Sequence, residues 1–262
     1  MLSIYLAFLE VSFKRQITYR IANWAGLFTN AFFLFFKVAL FEAIYVGNEV
    51  VGGLNSTSAM AYAGLAQVLV MVIPQWGNIG VGEEIRSGQV AIDMCRPVNY
   101  YFLTMSKRLG ISLYYVLMRA MPLAALGIFV GILIPFKNLA HIPLFIISVV
   151  MGSWIANSYH FLVETSAFWI ENARGLKTLS TGIIYFLSGI ILPINFFPVW
   201  AQNISRFLPF EYTINVPIQI YLGTGSNIFE LMFFQLIWCL VMSAQCIWVL
   251  SKGENQLTVH GG

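Results

Sequence analysis

His160 and Glu164 stand four residues apart inside a long apolar run, a spacing that sets an imidazole and a carboxylate on one helix face. Such a pair can share a proton or supply two ligands to a metal. A third ligand is missing, because His141 and His260 fall near opposite ends of apolar runs. The wider strip Ser153, Asn157, His160 and Glu164 repeats at four, three and four residues, which suits the lining of a helix interface or of a polar route. No catalytic set and no metal site are assigned.

Three more ionisable residues interrupt apolar runs: Lys37, Glu42 and Arg119. A charge at the centre of a bilayer costs about 2.5 to 3.5 kcal/mol on insertion scales, so each should face protein or a wet path. Arg119 and Glu164 are expected at similar depth, where they could pair, while Lys37 has no evident partner. An anchoring role near the boundary accounts for Glu42 and Arg119 equally well.

The longest charged interruption runs from Gly80 to Gly110 and holds Glu83, Glu84, Arg86, Asp93, Arg96, Lys107 and Arg108. Glu83 and Glu84 suit the first turn of a short helix, where carboxylates meet the positive end of the dipole, and Gly88 suits its end. Glu84, Arg86 and Arg96 could then make charge-assisted contacts with a partner, and Ile85, Val90 and Ile92 could fill its groove. A solvated loop is the alternative. No phosphate-binding Gly-x-x-x-x-Gly-Lys-Ser/Thr string occurs, so any ATP must be bound by another chain.

The rest of the 262 residues must position these groups, and its composition dictates how. The chain is 59% hydrophobic and 10% charged, against about 25% charged for a soluble domain. That defines one polytopic, all-α membrane domain over residues 1–262. The net charge of +3 is spread over separate loops and gives no case for nucleic acid. Cys95, Cys239 and Cys246 have no zinc or disulfide spacing. The apolar repeat within residues 1–20 predicts an amphipathic helix in the membrane interface. Six spans are expected at Trp24 to Tyr45, Ala59 to Ile79, Ser112 to Ile134, Ile142 to Ile170, Leu176 to Ile194 and Phe229 to Leu250. With the N-terminus inside, ten of the fourteen Lys and Arg residues lie on the cytoplasmic side, which puts both termini and the charged loop there. Gly127 and Gly131 form a GxxxG that predicts close helix packing.

The segment from Pro193 to Gly225 is too apolar for an exposed loop, yet Pro193, Pro198, Pro209 and Pro217 argue against one continuous helix. Short helices dipping into the outer leaflet reconcile the two, and a greasy surface loop is the other reading.

Two strings in this chain resemble the ABC-2 type transporter permeases. Glu84, Arg86, Ser87 and Gly88, followed by Arg96 and Pro97, resemble that family's first cytoplasmic loop. Ser188, Gly189, Pro193, Phe197, Pro198, Leu208, Pro209, Phe210, Pro217 and Gly223 resemble its re-entrant segment before the last span. The resemblance implies a coupling helix (Glu83, Glu84, Arg86, Gly88, Arg96, Pro97) docked on cytoplasmic ABC ATPase subunits that bind the ATP and Mg. It implies a second permease copy or a related permease, contact with membrane lipids, an outer gate at Pro193, Phe197, Pro198, Pro209 and Phe210, and the inner membrane of a bacterium. Within that expectation Lys37, Arg119, Asn157, His160 and Glu164 are the candidates for the translocation route. The aromatics Phe32, Phe33, Phe35 and Phe36 suit an apolar or amphipathic cargo, though lipid-facing packing explains them too. A proton-coupled secondary transporter or a membrane enzyme working through His160 and Glu164 are the rival classes.

Overall fold

The N-terminal amphipathic stretch forms α1, Leu2–Ile17, whose Glu10 and Lys14 pair on its exposed side at 2.6 Å. It does not lie alone in an interface. Tyr5, Phe8, Leu9 and Phe13 turn inward against the helix that follows the charged loop, while Leu2 and Leu6 stay exposed. The described residues of this computed structural model are 2–18, 20–73, 80–136, 138–170, 173–225 and 227–256. Lys137 and His260 therefore lie outside them, as does the end of the second expected span.

Helix α2, Arg20–Ile44, is 25 residues long and leaves most of its aromatics exposed. A hairpin of two short strands, β1 (Val50–Val51) and β2 (Leu54–Asn55), follows. Gly52 and Gly53 turn it with φ of 57° and 77°, angles that favour glycine. Asn55 then caps α3, Ser56–Leu69, by accepting from the Ser58 N–H at 2.9 Å. The whole run from Ala61 to Leu69 is buried, the behaviour of a helix apolar all round.

The charged loop contains two six-residue helices, α4 (Val81–Arg86) and α5 (Gln89–Met94), separated by Gly88 at φ 73°. The next helix starts earlier than its hydropathy suggests. Asn99 caps α6, Tyr100–Tyr115, accepting from the Tyr101 and Phe102 N–H groups. Lys107 and Arg108 are thus helical rather than loop residues, tolerated because Lys107 bridges Asp93 at 3.1 Å and Arg108 donates to Asn157 at 3.0 Å. A π turn over Val116–Ala120 joins α6 to α7, Met121–Phe129. Its cause is local: Pro122 has no N–H to offer the preceding turn, and the Met121 N–H bonds back five residues to Val116 O.

Gly131, at φ 79°, ends this rod through bonds from Gly131 N to Ile128 O and from Ile132 N to Gly127 O. The GxxxG is therefore a helix terminator, and Leu133 folds back over Gly127 instead of a second helix packing there.

Helix α8, His141–Thr165, extends through a 3-10 turn to Phe168; α9, Arg174–Leu187, follows, and α10 is Val199–Arg206. Helix α11, Glu211–Leu222, is buried over nearly its whole length and contains Pro217. Proline there does not break the helix. It leaves the Thr213 carbonyl without its usual donor, and that oxygen lies over Gly152 of α8, where a Cβ would approach to 2.5 Å. The surface-loop reading of this segment is thereby excluded for α11. Helix α12, Ile228–Glu254, closes the fold, with Gln235 donating to both Ser148 O and Tyr212 O at 2.8 Å to tie α8, α11 and α12.

Among the described residues, four helical runs are long and apolar enough to cross a membrane: Asn23–Ile44, Tyr100–Phe129, His141–Phe168 and Ile228–Glu254. Helices α3 and α9, with 14 residues each, span about 21 Å at 1.5 Å per residue.

Gly110 is where α1 meets α6, since a Cβ there would fall 2.2 Å from Leu9 O. Gly110→Ala should lower stability by about 1–3 kcal/mol despite the better helix propensity of alanine, because backbone must move. Thermal unfolding in detergent checks this, and increased protease cleavage of α1 is expected with it.

Candidate functional site

Helix α4 begins at Gly80, which has no side chain to cap its exposed N–H groups. The missing acceptor comes from another helix. Glu164 of α8 accepts from the Gly82 N–H at 3.2 Å through Oε2, and its Oε1 receives Lys177 of α9 at 3.2 Å. One carboxylate, 5% exposed, therefore joins α4, α8 and α9. Arg119 is not its partner, contrary to the expectation from depth. The guanidinium instead donates to Asn23 Oδ1 at 2.7 Å and stacks on Tyr115 at 4.4 Å, next to Gly26.

The elbow of α4 and α5 shows two sides. Val81, Ile85 and Val90 are buried with Tyr100, Tyr101 and Phe161, so Ile85 and Val90 belong to this chain's own core and cannot fill a partner's groove. Ile92 is 59% exposed and remains available. Glu84 accepts a hydrogen bond from the Tyr100 hydroxyl. Arg96 bridges Asp93 at 3.1 Å and lies over the Phe8 ring, so it locks the elbow to α1 as well as facing solvent. Glu83, Arg86, Gly88, Ile92 and Pro97 form the exposed surface.

Asn157 and its neighbours serve a helix interface. Asn157 accepts from Arg108 and donates to Ser153 O at 2.8 Å, and Ser112 reaches both Ser153 and Val72 O. His160 is buried, with its ring edge-on to Tyr159.

Lys37 and Arg119 both line a groove of about 650 Å³ between α2, α3, α6 and the end of α9, without touching each other. Lys37 donates to Ile190 O at 3.2 Å. Sequence reasoning overlooked the groove's amides: Asn30 donates to Gly26 O and accepts from Gln67, both at 2.7 Å. The signal was present, because Asn23, Asn30 and Lys37 recur every seven residues and so share one stripe of α2.

The outer candidates split. Phe197 stacks on Phe186 at 4.9 Å and Pro198 starts α10. Phe210 is buried against Tyr159, and Pro209 is buried beside it. Pro193 lines a second cavity of about 670 Å³ with Gln202, Arg206, Glu211, Asn215 and Glu230. Glu211 accepts from Asn215 Nδ2 at 2.9 Å through Oε1, while its buried Oε2 has no hydrogen-bond partner among the described residues. Burial pushes this carboxyl above its ordinary value.

A helical membrane protein whose water-facing elbow is pinned to its core by a carboxylate, beside a polar groove, has the build of a permease. A family model described as ABC-2 family transporter protein matches residues 28–261, and the chain belongs to that family. No curated protein matches the chain.

A carboxyl whose folded value is raised above its unfolded one contributes its full stability below the unfolded value and loses it as pH rises through the folded one. Glu211→Gln keeps the Asn215 contact without the charge, so it should raise the melting temperature in detergent more at pH 8 than at pH 5.

Proposed function

We propose that the chain is the transmembrane subunit of an ATP-driven exporter, with both termini and the α4–α5 elbow in the cytoplasm of a bacterium and the chain in its inner membrane. The elbow docks on a separate ABC ATPase subunit that binds ATP and Mg. Two permeases, identical or related, complete the complex. The cargo is apolar or amphipathic: a lipid, drug, peptide or lipid-linked glycan. In this reading α3 and α9 also cross, giving six passages, their short length met by flanking turns and local thinning of the bilayer. Helices α10 and α11 are the re-entrant outer segment, whose gate includes Pro193 and Phe197.

The observation that carries this reading is the shared hold on Glu164. Force applied to α4 reaches α8 through Gly82 and α9 through Lys177. Among its described residues α9 buries only Ser180 and Ile184, so little packing resists its movement. Its far end meets the route, since Lys37 bonds Ile190 O and Tyr62 bonds Gly189 O at 2.9 Å. Proton transfer or catalysis through His160 and Glu164 finds less support, because the carboxylate is engaged by Gly82 and Lys177 rather than by the imidazole.

The test uses side chains that the fold does not need. Arg86→Glu with Ile92→Asp changes two exposed positions, and the melting temperature should stay within a degree or two. ATP hydrolysis that copurifies with the chain in mild detergent should fall at least about tenfold, as expected for loss of a charged contact and an apolar anchor. Unchanged copurifying activity would remove the docking claim.

A further inference from the structure

The cavity of about 670 Å³ that Pro193 lines is bounded by α10, α11 and α12, with Tyr62 of α3 also in its wall. Three charged side chains stand in its described lining: Arg206 of α10, Glu211 of α11 and Glu230 of α12. Arg206 and Glu230 are exposed, whereas Glu211 is 7% exposed. The charge of Arg206 acts on Glu211, yet no ion pair joins the two among the described residues. What fixes Glu211 is a chain of neutral donors. The Tyr62 hydroxyl shares its proton between Gly189 O and Asn215 Oδ1, both at 2.9 Å, and Asn215 Nδ2 donates to Glu211 Oε1 at 2.9 Å. The chain ends there, and Glu211 Oε2 has no hydrogen-bond partner among the described residues. Gln202 repeats the pattern on α10. Its Nε2 donates to Asn195 O and to Phe197 O, which spends both amide hydrogens and leaves the side-chain oxygen over. Beside these acceptors runs an apolar stripe. Leu231, Phe234 and Trp238 recur at three and four residues along about 10 Å of α12 and line the same cavity.

From this arrangement we infer that the cavity binds a primary ammonium carried on an apolar body, the head donating to Glu211 Oε2 and the body lying along the α12 stripe. An ammonium brings three hydrogens and a positive charge, so it answers the spare carboxylate oxygen with a charge-assisted bond and also gains from the field of Glu230. Two carboxylates against one guanidinium leave the described lining with a surplus negative charge that a single cation balances. Burial holds the carboxyl toward its neutral form when it is alone, and a cation beside it draws it back to the ion. The enclosed setting of Oε2 suits a slim primary head and disfavours a bulky quaternary one, which has no hydrogen to give. The rings of Tyr212, Phe234 and Trp238 suit both parts of such a ligand, since aromatic groups attract cations as well as alkyl chains. The volume is that of a site for a drug-sized molecule.

The experiment titrates fluorescent probes sharing one alkyl tail against the full chain in uncharged detergent. Their heads are a primary ammonium, a trimethylammonium, a hydroxyl and a phosphoethanolamine. The primary ammonium should bind at least about tenfold more tightly than the trimethylammonium and hydroxyl probes, the worth of one charge-assisted hydrogen bond. If the phosphoethanolamine matches it, the ligand is a lipid head group whose phosphate meets Arg206; if it binds more weakly, the ligand is a free amine. Glu211→Gln keeps the Asn215 contact and should abolish the preference. Glu230→Lys, at an exposed position, should weaken the ammonium and spare the hydroxyl probe, and it carries the test should Glu211→Gln fold poorly. A hydroxyl or trimethylammonium probe binding as tightly as the primary ammonium would overturn the inference. So would a preference that survives Glu211→Gln, or Glu230→Lys where the former does not fold. No ATPase is needed, so failure here leaves the docking test standing, and failure of docking leaves this result interpretable.

Discussion

A buried carboxylate with two obligations organises the end of this protein that carries the α4–α5 elbow. Glu164 must be neutralised, because an ion inside a helical membrane protein is expensive to leave alone, and Lys177 does so. It must also spend its second oxygen, and the uncapped start of α4 takes it. The glycine at the start of α4 makes this arrangement necessary, since a serine or aspartate at position 80 would cap the helix locally and leave the elbow independent of the core. The connection between a water-facing element and a membrane-facing one follows from a missing side chain.

Around that point the remaining structure obeys the economics of backbone polar groups in lipid. Helices α3 and α11 are enclosed by others, so their lack of a polar face carries no penalty. The irregular stretches between α9 and α10 are packed on protein: Gly52 of the hairpin lies against Asn195 and Phe196, and the Gly189 carbonyl receives Tyr62. Where proline removes a donor, the freed carbonyl finds the Cα side of a glycine, as at Thr213 and Gly152.

Much of this was legible in the residues themselves. Two glutamates followed by an arginine and a glycine gave the short helix of the elbow, and the apolar runs gave α2, α8 and α12 to within a few positions, while the rod expected from Ser112 begins twelve residues earlier, at Tyr100. What escaped has a common physical root. Lys107 and Arg108 signalled a loop because charge was counted without its partners, and Asp93 and Asn157 make those positions helical. Gly127 and Gly131 signalled packing because spacing alone does not reveal a left-handed backbone. The four prolines rightly argued against one continuous helix, but that Pro217 sits inside α11 rather than at its end depends on a glycine 65 positions earlier, at 152. The groove shows the same division: Lys37 and Arg119 stand out by charge, whereas Asn23 and Asn30 stand out only once their seven-residue period with Lys37 is sought, and Gln67 on α3 carries no such signal.

The π turn between α6 and α7 carries one residue more than a regular ladder accommodates. Such a surplus residue can migrate along a helix by exchanging a five-residue bond for a four-residue one. Each step screws the intervening stretch by about 100°. Pro122 has no N–H with which to extend that exchange, so the turn is bounded on its C-terminal side. Arg119 rides on the segment that would turn.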